Sequence, residues 1–351
     1  MNLRSLSYGI LCAMILSCGN KKDQSAVSTF AGSGKMAIAD GKGDQASFAN
    51  LMGIAADNKG NFYVADSHNN VIRKITPDGT VTTLAGSGAV GSADGKGTAA
   101  SFFYPTALAV DRNGNLYVSD THNNLIRKID PTGVVTTVAG KRRSSATEID
   151  TSDVVRLDNP AGIAVDNSGD VYIADWGNDL IRKINVSGEI TDVAGSKGDP
   201  GSKNGVGSSA SFYLPWGLVL DSMNNVYVAD SYNNMIRKIS TDGTVTTVAG
   251  KKETGSTDGK DTSASFSHPA GLAIDKKGIL YIADMGNNKI RNLSPGGVVG
   301  TVAGNGLRGS ENGRAASASF SKPYGVAVAN DGSVYVADYS NNLVRKITFS
   351  Y

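Results

Sequence analysis

The chain has 351 residues with 34 basic and 32 acidic side chains, which give a formal net charge of +2 at neutral pH. A charge so close to zero provides no basic footprint for nucleic acid, so we expect no nucleic-acid partner. The 43 glycines exceed the usual share and indicate many tight turns. Sustained helical periodicity is missing beyond the N-terminus, which favours an all-β fold.

The first 17 residues are typical of an export signal. Arg4 precedes a mostly apolar stretch from Leu6 to Leu16, which is too short to span a bilayer as a permanent helix. The following Ser17-Cys18 resembles the cleavage site of bacterial lipoproteins, although Leu16 replaces a residue that is usually small. We predict cleavage before Cys18, lipidation of Cys18 and an extracytoplasmic location in the bacterial cell envelope. An ordinary secretory signal or an uncleaved membrane anchor is the alternative.

The cysteine count agrees with lipidation. Cys12 lies inside the predicted signal, so the mature chain would hold Cys18 alone and without a disulfide partner. Residues 18–26 are short and polar, as expected of a tether to a membrane surface. Residues 27–351 are predicted to form one monomeric domain.

Aspartates recur along this domain at an almost constant interval. Successive steps are 54, 55, 55, 54 and 54 residues, and the positions are Asp66, Asp120, Asp175, Asp230, Asp284 and Asp338. A period near fifty indicates a propeller, a solenoid or an array. One structural unit is therefore repeated six times in the sequence. Residues that determine function are expected where the copies differ.

Each copy contains four short runs rich in Val, Ile, Leu, Tyr and Thr. In the second copy they begin at Pro105, Asn115, Leu125 and Val134, and Gly, Pro, Asn and Asp separate them. This is the pattern of four strands joined by tight turns, here labelled a to d in chain order. A single sheet of this size cannot shield both faces, whereas a ring of sheets can.

The two ends of the domain indicate how the ring closes. Five copies end in a strand d, but the sixth stops shortly after Ile347. The missing strand lies at the other end as Val27–Gly32, and Gly32 precedes Gly86 by one period of 54 residues. We predict an all-β, six-bladed β-propeller of four-stranded antiparallel blades, with the N-terminal strand completing the last blade.

The repeat also resembles a known family. Gly162-Ile-Ala-Val-Asp166, Val171-Tyr-Ile-Ala-Asp175 and Val193-Ala-Gly195 are similar to the NHL repeat, and the likeness recurs in all six copies. It implies a propeller fold but leaves function open, because NHL-type propellers include protein-binding scaffolds, sensor ectodomains, RNA binders and an amidating lyase.

Polar residues that recur in every copy are expected to be structural. An Asp ends each strand b and an Arg follows in strand c; we expect the Asp to bind turn backbone and the Arg to bridge strands. A second Asp at the a–b turns and the glycine-rich d–a connections resemble turns more than calcium or phosphate loops. We expect no cofactor, and weak calcium binding in these connections is the alternative.

Histidines give no convincing metal site. In the lyase that the fold resembles, the position just after the Pro at the start of each copy supplies histidines to zinc. Here that position, which should face the mouth of the central channel, holds Met52, Thr106, Ala161, Trp216, Ala270 and Tyr324. The three histidines, His68, His122 and His268, lie at other loop positions, and we interpret them as exposed polar residues.

Aromatic residues are unevenly distributed over the b–c and d–a loops. Trp and Tyr are favoured at recognition sites, although these side chains could instead fill the blade tops. The candidate binding residues are Trp176, Tyr213, Trp216, Tyr232, Tyr324 and Tyr339. The third d–a connection, from Lys141 to Asn159, also departs from the repeat and could contribute specificity.

The sequence therefore predicts a non-enzymatic binding scaffold. Its partner would be a protein, a peptide or a glycan of the envelope, held on the face formed by the b–c and d–a loops. The alternative is a metal-dependent hydrolase or lyase, similar to the lactonases, acting at the central channel. RNA binding disagrees with the export signal and the near-neutral charge.

Overall fold

The computed structural model describes residues 25–141 and 156–349, so the predicted signal, Cys18 and most of the tether and the third d–a connection lie outside the described residues. The described chain forms six antiparallel sheets. Their innermost strands contact one another in succession, and the sixth contacts the first. The predicted six-bladed β-propeller is confirmed.

Strands a to d run from the channel outwards in each blade. Strand a comprises Leu51–Ala56, Pro105–Val110, Pro160–Val165, Leu218–Leu220, Pro269–Ile274 and Pro323–Val328. Strand b comprises Phe62–Asp66, Leu116–Asp120, Val171–Asp175, Val226–Asp230, Leu280–Asp284 and Val334–Asp338. Strand c comprises Val71–Ile75, Leu125–Ile129, Leu180–Ile184, Met235–Ile239, Lys289–Leu293 and Leu343–Thr348. Strand d comprises Thr80–Ala85, Val134–Gly140, Ile190–Ala194, Thr244–Gly250 and Val298–Ala303, with Ala26–Ala31 in the sixth sheet.

Five blades contain a fifth strand that the sequence analysis did not predict. It is two residues long and pairs with the outer side of strand d of the same blade; its copies are Gly41–Lys42, Gly95–Lys96, Gly205–Val206, Gly259–Lys260 and Gly313–Arg314. The prediction of four-stranded blades is thus wrong for these five sheets and holds only for the third. The glycine-rich d–a connections supply these strands, so each connection reaches the outer edge of its blade before crossing to the channel.

Short 3-10 helices lie in two sets of loops, and the face at which strand b ends and strand a begins is here called the mouth face. One set follows strand b: Ser67–Asn69, Thr121–Asn123, Trp176–Asn178, Ser231–Asn233, Met285–Asn287 and Tyr339–Asn341. The other set follows the two-residue strands: Gly43–Gln45, Gly97–Ala99, Gly207–Ser209 and Asp261–Ser263. Among the described residues, no helix is long and apolar enough to cross a membrane.

The sixth sheet combines strands from both ends of the described chain. Ala26–Ala31 pairs antiparallel with Leu343–Thr348, with Val27 opposite Ile347. Val27 and Ala31 are buried in the cores on either side of this blade. Strand d of this blade is therefore held both by backbone hydrogen bonds and by apolar packing.

The apolar core lies between blades. Each buried cluster joins side chains of two neighbours, such as Ala65 and Ile72 of the first blade with Phe102 and Leu116 of the second. The Phe of the Ala-Ser-Phe element is fully buried in five blades. Burial at about 25 cal/mol per Å² of apolar surface thus acts between successive sheets, as a ring of blades requires.

The recurring Asp and Arg have a structural role, as predicted, and they form a buried ion pair in every blade. In the fourth blade, Asp230 Oδ2 accepts from Arg237 Nη1 at 2.7 Å, and neither side chain is exposed. Arg237 also donates to the carbonyl of Ser211 and stacks over Phe212 at 5.3 Å. Withdrawal from water raises the pKa of Asp230 to about 6, while Arg237 and hydrogen bonds act in the opposite direction. At neutral pH the pair is charged and ties strand c to the d–a connection.

The a–b turn aspartates also have the expected structural role. Asp221 Oδ1 accepts from the backbone N–H groups of Met223 and Asn225, both at 2.9 Å. The equivalent bonds form in blades one, two, three and five. These carboxylates close turns.

A ring of side-chain hydrogen bonds links each blade to the next at the mouth face. The backbone N–H of a residue shortly before strand a donates to the side chain of the residue that follows the 3-10 helix of the preceding blade, over 2.7–3.0 Å. These donors, here called rim residues, all have φ between 49° and 53°: Asn50, Tyr104, Asn159, Leu214, His268 and Lys322. The ring includes the bond from Asn50 to Asn342, between the first and last blades.

The rim conformation is costly for most side chains. Left-handed backbone costs an ordinary L-residue about 1–2 kcal/mol, whereas Asn tolerates it. Lys322 is exposed and adopts φ 51°. We therefore expect Lys322→Asn to raise the free energy of unfolding by about 0.5–1 kcal/mol in denaturant titration. Lys276→Asn, an exposed change without positive φ, should stay within about 0.5 kcal/mol, and equal effects of the two substitutions would contradict the strain.

Candidate functional site

The central channel is narrow at the mouth face. Its upper part has a volume of about 60 Å³ and is lined by Met52, Thr106, Trp216 and Tyr324 together with strand-a glycines. Towards the opposite face it widens to about 240 Å³ between apolar strand-a side chains. Four of the six residues predicted at the mouth thus line it, whereas Ala161 and Ala270 do not.

Strand a brings Trp216 to the mouth through a close approach of backbones. The N–H of Gly162 in the third blade donates to the carbonyl of Trp216 in the fourth at 2.8 Å. A Cβ at Gly162 would collide with that carbonyl oxygen, so only glycine permits this contact. The backbone of Trp216 is therefore fixed by its neighbouring blade.

Trp176 reaches the same place from the b–c loop of the third blade. It begins a 3-10 helix at the position that Ser67 and Thr121 occupy in the first two blades. Those hydroxyls donate to the carbonyls of Pro105 and Pro160, at the start of the next strand a. The position therefore faces the next blade, and replacing a small hydroxyl residue by tryptophan puts an indole beside Trp216.

Aromatic side chains from four blades contact one another across the mouth. Ring centroids are 6.3 Å apart for Trp176 and Trp216, 5.5 Å for Trp216 and Tyr324, and 5.0 Å for Tyr324 and Tyr339. The hydroxyls of Tyr339 and Tyr104 are 3.4 Å apart. His122 stacks on Tyr104 at 4.7 Å. These six residues are called the mouth series.

A second aromatic group lies beside the mouth series. Tyr213 and Tyr232 have ring centroids 5.3 Å apart, and His268 contacts Tyr232 at 5.2 Å. Tyr213 and Tyr232 are 39% and 47% exposed. The six predicted binding residues thus fall into two groups, four in the mouth series and two in this outer pair.

The mouth series is neutral and carries polar atoms. Burial raises the pKa of Tyr324 to about 12 and, more strongly, raises that of Tyr104, so both keep their hydroxyl protons at physiological pH. Partial burial lowers the pKa of His122, which favours the uncharged imidazole. The indole N–H of Trp176 is buried and has no hydrogen-bond acceptor among the described residues.

Two members of the series were not among the predicted binding residues. Tyr104 is a rim residue, and its backbone conformation directs the side chain to Tyr339 of a non-adjacent blade. His122 was interpreted as an exposed loop residue; it is exposed but stacked. The sequence did contain a signal for this role, because His122 lies just after strand b, at the position that Tyr232 occupies in its own blade.

Metal-binding geometry is not found in the described ranges. No group of three or more His, Cys, Asp or Glu side chains within residues 25–141 and 156–349 is arranged to hold a metal ion. The expectation of weak calcium binding in the d–a connections remains a prediction.

The fold and the mouth define a class, a six-bladed β-propeller with an aromatic channel mouth. The NHL repeat model matches residues 102–129, 157–184, 212–239 and 320–347. The chain therefore contains NHL repeats within a six-bladed β-propeller.

The proteins that are similar to this chain have names that refer to different functions. Protein SUPPRESSOR OF QUENCHING 1, chloroplastic, of Arabidopsis thaliana is 31% identical over 284 residues, which are 76% of this chain but only 27% of that protein. An auxiliary nutrient binding protein of Bacteroides thetaiotaomicron has a TM-score of 0.72 at 18% identity, over 94% of this chain and 78% of the other. Virginiamycin B lyase of Staphylococcus aureus has a TM-score of 0.54 at 17% identity, over 86% and 95%. The two solved structures share the fold with this chain.

Proposed function

We propose that this protein is a non-enzymatic binding platform whose mouth face recognises a protein, peptide or glycan partner in the bacterial envelope. The observation that carries the proposal is the contact between Trp176, Trp216, Tyr324 and Tyr339, which come from three different blades. Large aromatic side chains with polar tips dominate recognition hot spots. A propeller named as a nutrient binding protein shares the fold, which is compatible with a binding role.

The competing function is a metal-dependent hydrolase or lyase at the channel, and a lyase also shares the fold. Pockets that enclose small molecules usually measure about 300–1,000 Å³. The upper channel offers about 60 Å³, and Trp216 and Tyr324 line it. A substrate would have to lie over the mouth instead of inside it, which favours a surface platform.

Anchoring is part of the proposal. Residues 1–17 would direct export, and lipid on Cys18 would hold the propeller at a membrane through the short tether. Fractionation of cells that produce the wild type or Cys18→Ala tests this. Recovery of both proteins in the soluble fraction would remove the anchor from the proposal.

Partner recovery tests the mouth face. Crosslinking in envelope extract, followed by pull-down, should recover fewer partners with Trp176→Ala/Trp216→Ala than with the wild type. Truncation of hot-spot residues costs at least about 2 kcal/mol, or roughly thirtyfold in affinity. Met223→Ala is the control, because Met223 is 69% exposed in an a–b turn on the opposite face. Equal recovery by all three proteins would remove the mouth face as the site.

A further inference from the structure

We infer that the ligand of the mouth series is a neutral carbohydrate chain lying across the channel mouth. This inference rests on the proposed function, because it assumes that the mouth face binds a partner at all. It goes further by selecting one of the three partner classes. The shape of the site, its charge and a pair of tyrosine hydroxyls support the choice.

The shape of the site favours a ligand that lies flat. Trp176, Trp216, Tyr324 and Tyr104 come from the third, fourth, sixth and second blades, so the series crosses the mouth. Below it the channel has only about 60 Å³ and admits no bulky side chain of a docking protein. Beside it the exposed pair Tyr213 and Tyr232 extends the aromatic surface outwards. The arrangement offers a broad surface of rings without a deep anchor pocket.

The chemistry of a sugar ring fits such a surface. The axial C–H groups of a pyranose carry partial positive charge, and the faces of aromatic rings are negative. The rings from Trp176 to Tyr339 are inclined to their neighbours by 54–84°, whereas His122 lies nearly parallel to Tyr104, so the series presents both faces and edges to a ligand. A sugar face can pack on a ring while its equatorial hydroxyls meet polar groups at the ring edges.

The charge of the site favours a neutral partner. Tyr324 and Tyr104 keep their protons because burial raises the pKa of each, and burial lowers the pKa of His122. Trp176 and Trp216 add only indole rings, which carry no charge. Charged side chains of a protein or peptide would be desolvated here without a counterion from the series, which is costly. A neutral carbohydrate has no such cost.

Hydrogen-bonding capacity points to an oxygen-rich partner. The hydroxyls of Tyr104 and Tyr339 are 3.4 Å apart, and each retains capacity for a further bond. Hydroxyl and ring oxygens of a sugar accept and donate at close spacing, and so can meet both hydroxyls at once.

The two tryptophans provide a direct probe. They are the only ones in the chain, and both lie in the mouth series, so intrinsic fluorescence reports on this site alone. The full-length mature protein would be titrated with short cello-, xylo-, manno- and malto-oligosaccharides, and separately with neutral and charged peptides. We expect saturable emission changes with at least one neutral oligosaccharide and none with the peptides.

Variants keep the outcome interpretable. Tyr324→Ala retains both tryptophans and should weaken oligosaccharide binding at least about tenfold, whereas Met223→Ala should leave it unchanged. If no oligosaccharide changes the emission, but peptides do and Tyr324→Ala abolishes that change, the carbohydrate inference is wrong and the proposed function still stands. If neither oligosaccharides nor peptides change the emission, and the pull-downs are also unaffected by Trp176→Ala/Trp216→Ala, both the carbohydrate inference and the proposed function are wrong.

Discussion

Asp230→Ala is expected to lower the free energy of unfolding by about 3–5 kcal/mol, because it leaves a buried guanidinium without its counterion. Arg237 is fully buried and receives its charge compensation from Asp230 at 2.7 Å. The substitution also removes the acceptor for the backbone N–H of Tyr213 and for the side chain of Asn233. Three donors therefore lose an acceptor inside the protein at once. Equilibrium unfolding in denaturant, followed by circular dichroism, measures the loss.

A control substitution of another aspartate in the same blade distinguishes the effect of burial on stability from the effect of losing a carboxylate. Asp221→Ala removes a turn acceptor that is only partly buried, and it should cost about 1 kcal/mol. Asp230→Leu/Arg237→Met, which removes both charges, should recover part of the loss, since apolar replacement of a buried pair is often close to neutral. Similar losses for Asp230→Ala and Asp221→Ala would show that the buried pair has no special weight.

Removal of residues 1–31 is expected to destabilise the propeller by at least about 3 kcal/mol and to promote association between molecules. It takes away the strand that pairs with Leu343–Thr348, and with it the buried side chains of Val27 and Ala31. Burying one Val contributes about 1.5–3 kcal/mol, to which the lost backbone hydrogen bonds are added. The bared edge of Leu343–Thr348 would offer unpaired backbone groups to a second molecule.

Removal of residues 1–24 is the control, because it leaves Ala26–Ala31 in place. Denaturant midpoints and sedimentation of the two truncated proteins provide the comparison. We expect the shorter truncation to behave as a monomer with an unshifted midpoint. Equal midpoints for the two proteins would mean that the pairing of Ala26–Ala31 adds little to stability.

The blade count was predictable because each repeat carries its own signals of turns and strands. The Asp at the end of strand b and the Gly after strand d mark the same points in every copy, and local patterns of this kind are read directly from sequence. The fifth strand was not predictable in this way. Gly41–Lys42 is too short for any periodicity, and it is a strand only because Val81 and Thr80 lie beside it in the folded blade.

The candidate site was predictable in its composition but not in its connections. Trp216 and Tyr324 were expected at the mouth because their position in the repeat fixes them next to strand a. The contact of Tyr104 with Tyr339 joins non-adjacent blades and depends on the left-handed backbone of Tyr104, which strand patterns do not reveal. For the same reason, the separation of Tyr213 and Tyr232 from the mouth series became visible only in three dimensions.

The pairing of Ala26–Ala31 with Leu343–Thr348 has a consequence for biosynthesis. The first of these strands leaves the ribosome early, and Thr348, which donates to the carbonyl of Ala26, follows it 322 residues later. Contacts so distant along the chain form slowly, so the sixth sheet must wait until Leu343–Thr348 has been synthesised. The ring of blades therefore cannot close before that strand has been made, however early the other sheets form.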